Sequence, residues 1–223
     1  MKIFKKFLLI LTIFATLFNT ILLSSCKKQD NYFNFVSECR SDIFLGEKNG
    51  LKLKATYGFI LKEKSVETRK HYQLKFTLFG NIKDFSTYSL VFNYKGLEYK
   101  SNFSLDALSN TLYCQFDIND FAEKTFSVEV VLTSLREQIE LSSIVPKNTL
   151  PPTEALNILW KNQPELMNSF IKVGVFNGEL ILRVIVKENA PYYYIGIKQR
   201  EKLIAFLLDG FTGNELAVRN IYY

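Results

Sequence analysis

Leu51-Lys52-Leu53-Lys54-Ala55-Thr56-Tyr57-Gly58-Phe59 sets an apolar side chain at every second position, with a polar or small residue between. Side chains of an extended strand alternate between its two faces, so a period of two marks a strand with one face buried. The same period recurs downstream. Tyr72, Leu74, Phe76 and Leu78 alternate with Gln73, Lys75 and Thr77, and segments 88–94, 97–103, 112–118 and 126–132 follow suit. A last strand is expected over 137–145. Turn signals fall between them at Lys48-Asn49-Gly50, Gly80-Asn81, Lys95-Gly96 and Ser109-Asn110. Roughly seven or eight short strands at this spacing predict an antiparallel β-sandwich of Ig-like architecture over residues 33–145.

Pro146-Lys147-Asn148-Thr149-Leu150-Pro151-Pro152 breaks the alternation. So many prolines in one short run read as a stiff linker, 146–152, and as a domain boundary. Beyond it Thr153 is a good N-cap, Glu154 follows in the first turn, and Ala155, Leu156, Leu159 and Trp160 share one helical stripe. Pro164 opens a second short helix over 165–170. The period then returns to two. Segments 172–176 and 179–187 flank Asn177-Gly178, a strong hairpin signal, and further strands are expected over 192–198, 203–208 and 215–222. Residues 153–223 thus read as a small α+β domain, a helix-turn-helix on an antiparallel meander, in a chain that is mainly β.

Both faces of that meander are apolar. Leu180, Leu182, Val184 and Val186 are expected against the Leu156/Trp160 helix. The opposite face would then carry Phe176, Ile181, Arg183, Ile185, Tyr192, Tyr194 and Phe206. Tyrosines around an arginine suit cation–π contact, and an apolar face of this size calls for cover, either by the sandwich or by a partner.

Tyr193-Tyr194-Ile195-Gly196-Ile197, then Ala205-Phe206-Leu207-Leu208-Asp209-Gly210, then Thr212-Gly213-Asn214-Glu215-Leu216-Ala217 resembles PepSY-like bacterial domains, with their strand, D-x-x-T-G-type turn and following strand. The resemblance covers the C-terminal domain and implies an extracytoplasmic interaction module, in some cases linked to peptidase inhibition.

The N-terminus has its own logic. Lys2, Lys5 and Lys6 precede an uncharged, apolar run over 7–23, which ends in Leu23-Ser24-Ser25-Cys26. A basic n-region, an apolar h-region and small residues at a cut site are the parts of an export signal. The cysteine after the small pair resembles the lipobox of bacterial lipoproteins, which implies cleavage after residue 25 and lipidation of Cys26. Residues 1–25 are therefore expected as a signal peptide and 26–32 as a polar tether. The anchored chain would face away from the cytoplasm at the cell membrane. An uncleaved span would need about 20 apolar residues, and this run is short and interrupted by Thr12, Thr16, Asn19 and Thr20.

Composition fits a core-forming chain and narrows its partners. The full chain carries 28 Lys+Arg against 22 Asp+Glu. Three of the lysines and none of the acids precede Cys26, so the mature part has 25 − 22 = +3. That mild, dispersed excess is far from a nucleic-acid footprint. The partners expected are the membrane, through the lipid, and a protein or other component of the cell envelope. Apart from Cys26 there are only Cys39 and Cys114, and no C-x-x-C. Alternation points both at the core, either as a bridge across the two layers of the sandwich or as inert buried thiols.

No recognised catalytic set appears. His71 is the sole histidine, at the start of a strand, with no G-x-S-x-G, H-E-x-x-H or phosphate loop in the chain. Asp117-Ile118-Asn119-Asp120 and Asp209-Gly210-Phe211-Thr212-Gly213 lack the ligand spacing of an EF-hand and read as Asx turns. Neither metal nor cofactor is expected. The chain reads as an anchored binding or structural module rather than an enzyme, with regulation or inhibition of an extracellular peptidase as the alternative. Replacing Cys26 with Ala should abolish incorporation of radiolabelled palmitate. A parent chain that takes up no label would overturn the lipoprotein assignment.

Overall fold

A computed structural model describes residues 32–64, 67–80, 88–132 and 135–222. The expected signal segment 1–25, Cys26 and all of the tether except Tyr32 lie outside the described residues.

Alternation becomes strand where the sequence predicts it. β1 (Val36–Lys48), β2 (Leu51–Lys64) and β3 (Glu67–Gly80) run antiparallel in succession. Asn49 and Gly50 join the first two with φ of 51° and 79°, the positive values of a turn whose twist matches its flanking strands. β4 (Tyr88–Tyr94), β5 (Leu97–Asn102), β6 (Ser104–Asp106), β7 (Thr111–Asp117), β8 (Thr125–Leu132) and β9 (Leu135–Ser143) follow.

These strands join one sheet, where the sandwich expectation has two. One edge of β1 pairs with β2, which leads on to β3, β7 and β6. The other edge is shared. Near its end, Phe44 and Leu45 pair with Ser143 and Ser142 of β9, which leads to β8, β4 and β5. The sheet thereby curls nearly into a barrel. Leu53, Phe76, Leu90, Leu112 and Leu141 fill its interior and are fully buried.

The first half of the same edge, Val36–Arg40, pairs in parallel with β12 (Glu179–Lys187). From there the sheet continues through β13 (Ala190–Gln199), β14 (Lys202–Asp209) and β15 (Glu215–Tyr222). α1 (Pro152–Asn162) and α2 (Pro164–Ser169) lie before them in sequence, with a two-stranded hairpin of β10 (Ile171–Lys172) and β11 (Val175–Phe176). A second core forms here. Leu156, Leu159 and Trp160 of α1 meet Leu180, Leu182, Tyr193, Ile195 and Phe206. Val36, Cys39 and Phe59 from the first two strands belong to it as well, and Tyr32 stacks on Trp160 at 3.8 Å. The sheet passes across the proline-rich segment without a break. That segment is itself docked: Leu150 donates its N–H to the Gly210 carbonyl and accepts from the Tyr193 hydroxyl.

Several local expectations are corrected. Asn177-Gly178 does not join two long strands; the tight turns are Val173-Gly174, within the small hairpin, and Glu188-Asn189, between β12 and β13, each with positive φ at both residues. α1 begins at Pro152, with Pro151 in the cap position and no side-chain cap, so Thr153 is inside the helix. Phe176 and Phe206 sit in the helix-side core, 8% and 1% exposed, and not on the opposite face. Cys39 and Cys114 are free buried thiols in different cores. They belong to β1 and β7, three strand spacings apart in one sheet, or roughly 14 Å, beyond the reach of a bridge. Burial pushes both thiols up to about 12, leaving little reactive thiolate.

The fork in β1 has a local cause. Arg40 pairs with Gly58 and Asp42 with Tyr57, so Ser41 is an extra residue, a β-bulge. Before it Cys39 faces the helix-side core; after it Phe44 faces the barrel interior. A bulge shifts the alternation and adds twist. This one falls between Arg40, the last residue paired with β12, and Phe44, the first paired with β9. Gly58 opposite has no room for a side chain: a Cβ there would overlap the Cys39 carbonyl oxygen and lie 2.8 Å from the Arg40 Cα. Gly58→Ala should therefore lower stability by about 1–3 kcal/mol, read from urea unfolding. A variant with the parental midpoint would show that the bulge tolerates a side chain.

Candidate functional site

The sheet face turned away from both cores carries the polar half of each alternation. β1 contributes Glu38 and Arg40, β2 Lys54 and Thr56, β3 Gln73, Lys75 and Thr77, β7 Thr111 and Tyr113, and β12 Arg183 and Ile185. Where β12 diverges from β1 past the Arg40–Arg183 pair, these side chains, apart from the buried Gln73, line a groove of about 530 Å³. Gln73 lies behind its polar wall, bonded to Arg40.

Charge pairing fixes that wall. Arg183 holds the Glu38 carboxylate through both ends, Nε to Oε1 at 3.1 Å and Nη2 to Oε2 at 3.0 Å. Arg40 donates from Nε to the same carboxylate at 3.3 Å, and its Nη groups reach the carbonyl and side-chain oxygens of Gln73, each at 3.5 Å. Gln73, almost fully buried, passes the chain to Asp117 Oδ1 at 3.1 Å. A forked guanidinium on a carboxylate is the strongest kind of side-chain ion pair because two aligned hydrogen bonds reinforce one charge contact. Burial pushes the Glu38 carboxyl up, but the hydrogen bonds and charge of Arg183, helped by Arg40, outweigh it and hold the group below its ordinary value.

Lys54 and Lys75 complete the groove. Lys75 places its Nζ 4.9 Å from the centroid of the Tyr113 ring. Both lysines are half-buried. A larger hollow, about 670 Å³, lies on the outer face of β4, β5, β8 and β9, but its charges balance: Arg136 pairs with Glu129 at 2.9 Å, and Lys100 and Glu98 are its other two. The groove at the fork has the cations in excess.

Of the residues expected on the apolar second face, Ile181, Tyr192 and Tyr194 are half-buried, while Arg183 and Ile185 are exposed and line the groove. Tyr194 lies across from Arg183, and Tyr192 from Ile185. Tyr194 also turns its ring over Gly196, where a Cβ would come within 3.0 Å of it. Arg183 engages Glu38 in place of the expected tyrosine faces. Glu38, Arg40, Lys54 and Lys75 went unread because isolated polar positions in an alternating strand look like solvated surface. The available signal was Lys54-Ala55-Thr56 beside Lys75-Phe76-Thr77, the same K-x-T spacing on two successive strands.

The remaining candidates are quiet. Asp209 Oδ1 accepts from the Phe211 and Thr212 amides and the Thr212 hydroxyl, which closes an Asx turn. Backbone bonding from Thr212 is the main cause of its lowered pKa. His71 pairs with Ile60, and its Nε2 has no hydrogen-bond partner among the described residues. Among the described residues no group of three His, Cys, Asp or Glu gathers as a metal site.

Glu38 links the groove to stability. Its folded-state pKa is depressed, so its contribution is present above the ordinary carboxylate range and is lost as pH falls through the lowered value. Glu38→Gln should unfold at clearly lower urea than the parent at about pH 7, and the gap should narrow as pH falls below the ordinary carboxylate range and through the lowered Glu38 value. A gap that is constant with pH would show that the Glu38 charge does not matter to the wall.

No protein-family model, curated protein or solved structure matches the chain.

Proposed function

We propose that the protein is a membrane-anchored, extracytoplasmic lipoprotein that works as a binding module without catalysis. The observation that carries the binding role is the continuous outer face running from the groove to Tyr192 and Tyr194. It combines a rigid charged wall, held by the Glu38–Arg183 fork, with open apolar surface at Ile185, 42% exposed. Interface hot spots are built in this way, from aromatic and arginine side chains already fixed in place. Within this reading the β1-β2-β3-β7 and β9-β8-β4-β5 runs are the two layers of an Ig-like sandwich fused at β1. Residues 153–223 are the α+β unit of PepSY-like kind.

The anchor rests on the sequence of residues 1–26. Among the described residues no helix is long and apolar enough to cross a membrane. A lipid on Cys26 would leave six residue steps to Tyr32, a reach of at most about 20 Å. Since Tyr32 is stacked on Trp160, the folded part would be held close to the bilayer surface.

A second reading, regulation of an extracellular peptidase through residues 153–223, draws on β15. This edge strand is exposed along nearly its whole length, with Leu216, Val218 and Tyr222 open to solvent. An unpaired edge can accept a strand from another chain.

Cross-linking and capture from detergent-solubilised membranes tests the binding role. Parent protein should retain a specific partner that Ile185→Asp loses by about tenfold or more, which corresponds to about 1.4 kcal/mol. Because Ile185 is exposed, the melting midpoint should move little. Capture that is indifferent to both Ile185→Asp and Tyr194→Ala would remove this face from the function.

A further inference from the structure

Lys54 and Lys75 are the groove cations that make no ion pair among the described residues. Lys54 lies opposite Thr77 and Lys75 opposite Thr56, so the two lysines are diagonal neighbours on one sheet face, within about 7–8 Å at their Cβ atoms. Like charges placed so close repel, and half-burial reduces the screening that relieves such pairs on an open surface. No described carboxylate lies within 4.0 Å of either ammonium. Two acids are in the groove, and both make their hydrogen bonds elsewhere. Glu38 is held by Arg183 and Arg40. Asp106 feels the charge of Lys75 but makes no ion pair with it, and accepts instead from the Ser109 hydroxyl and, at 3.1 Å, from the Leu108 amide of its own turn. The Tyr113 ring positions the Lys75 ammonium but does not neutralise it.

We propose that this groove binds a phosphate group, with Lys54 and Lys75 as its charge partners. The inference rests on the binding-module reading of the same face and deepens it by naming the ligand chemistry. Lysine is a point charge with freely rotating donors and suits phosphate, whereas planar carboxylates are matched by forked guanidinium groups. Both guanidinium groups in the groove are already occupied by Glu38. The hydroxyls of Thr56 and Thr77 flank the lysines, and those of Thr111 and Tyr113 line the adjoining strand. Two lysines and the hydroxyls of Thr56 and Thr77 thus stand together on one face of the groove, and a phosphate, with several acceptor oxygens, can take hydrogen bonds from more than one of them at once. A group of this kind can come from a soluble phosphoester or from a phospholipid headgroup, and the chemistry of recognition is the same.

The test uses the full chain in a phosphate-free detergent at fixed ionic strength. Calorimetric titration with inorganic phosphate, glycerol phosphate and a short-chain phosphatidylglycerol, with acetate as the control, should give saturable binding to at least one phosphate probe and none to acetate. Lys54→Gln/Lys75→Gln should weaken that binding tenfold or more. The double variant should melt at or above the parental midpoint without ligand, because it removes a repulsion; this keeps loss of binding distinct from loss of fold. Binding of inorganic phosphate or glycerol phosphate assigns a soluble ligand, and binding of phosphatidylglycerol alone assigns a headgroup. The proposal is overturned if no phosphate probe binds, if acetate binds equally well, or if the double variant binds like the parent. In any of those cases loss of a partner by Ile185→Asp would still support the binding module itself.

Discussion

A β-strand has two hydrogen-bonding edges, and β1 divides one of them between two partners. Its first half pairs with β12 and its second with β9, while β2 occupies the opposite edge throughout. A flat, regular strand could not do this, because both partners would compete for the same line of donors and acceptors. The bulge at Ser41 resolves the conflict by turning the strand between the two pairings. It also shifts the alternation, so that the buried side chain is Cys39 in one core and Phe44 in the other. Gly58 is the complement of the bulge, since only a residue without Cβ lets the β2 backbone come so close. Both cores and the sheet that joins them depend on that one contact.

The outer face follows from the same constraint. Past the Arg40–Arg183 pair β12 no longer pairs with β1, and the groove lies there. The side chains of Arg40 and Arg183 fill part of that space, and Glu38 lies between them as their shared counterion. Through Gln73 this chain of hydrogen bonds also reaches Asp117, so the arginines are matched by carboxylates and the excess charge of the groove comes from Lys54 and Lys75. A structural ion-pair network would be expected to end in neutrality, because uncompensated charge away from bulk water is costly. The hollow outside β4, β5, β8 and β9 shows the neutral outcome. The groove at the fork does not, and this contrast makes it the candidate site.

Much of the fold was legible because burial imposes a period. The strands 88–94 and 126–132 and the α1 stripe of Ala155, Leu156, Leu159 and Trp160 came directly from spacing, as did the placement of Leu180, Leu182 and Val184 against that helix. Pairing was less legible. Periodicity says which face of a strand is buried but not which strand lies beside it, so the parallel β1–β12 contact between distant segments left no mark in the alternation. The strong turn signal of Asn177-Gly178 yielded to Val173-Gly174, where tertiary packing of Phe170 and Phe176 overrides local preference. Phe206 and Cys114 show the same limit: Phe206 falls on the helix side and not on the opposite face, and Cys114, though core-facing as its alternation implies, joins a different core from Cys39. Of the site, Arg183, Ile185 and the two tyrosines were visible as an apolar face with a charge in it. Its N-terminal share was hidden among lysines and threonines that only strand register brings together.

The fork also ties the entry of the chain to its outer face. Tyr32, Phe33 and Phe35 pack on the helix-side core, with Tyr32 against Trp160 and Phe35 against Trp160 and Phe176. β1 starts at the next residue, and Glu38 and Arg40 of the groove follow within its first turn of alternation. No flexible spacer separates the docked aromatics from the charged wall. Stacked rings at 3.8 Å and a continuous strand restrict rotation in a way that a free polar leader would not. Any pull on the chain upstream of Tyr32 is therefore borne first by the Tyr32–Trp160 stack and then by β1, the strand on which both cores and the charged wall are built.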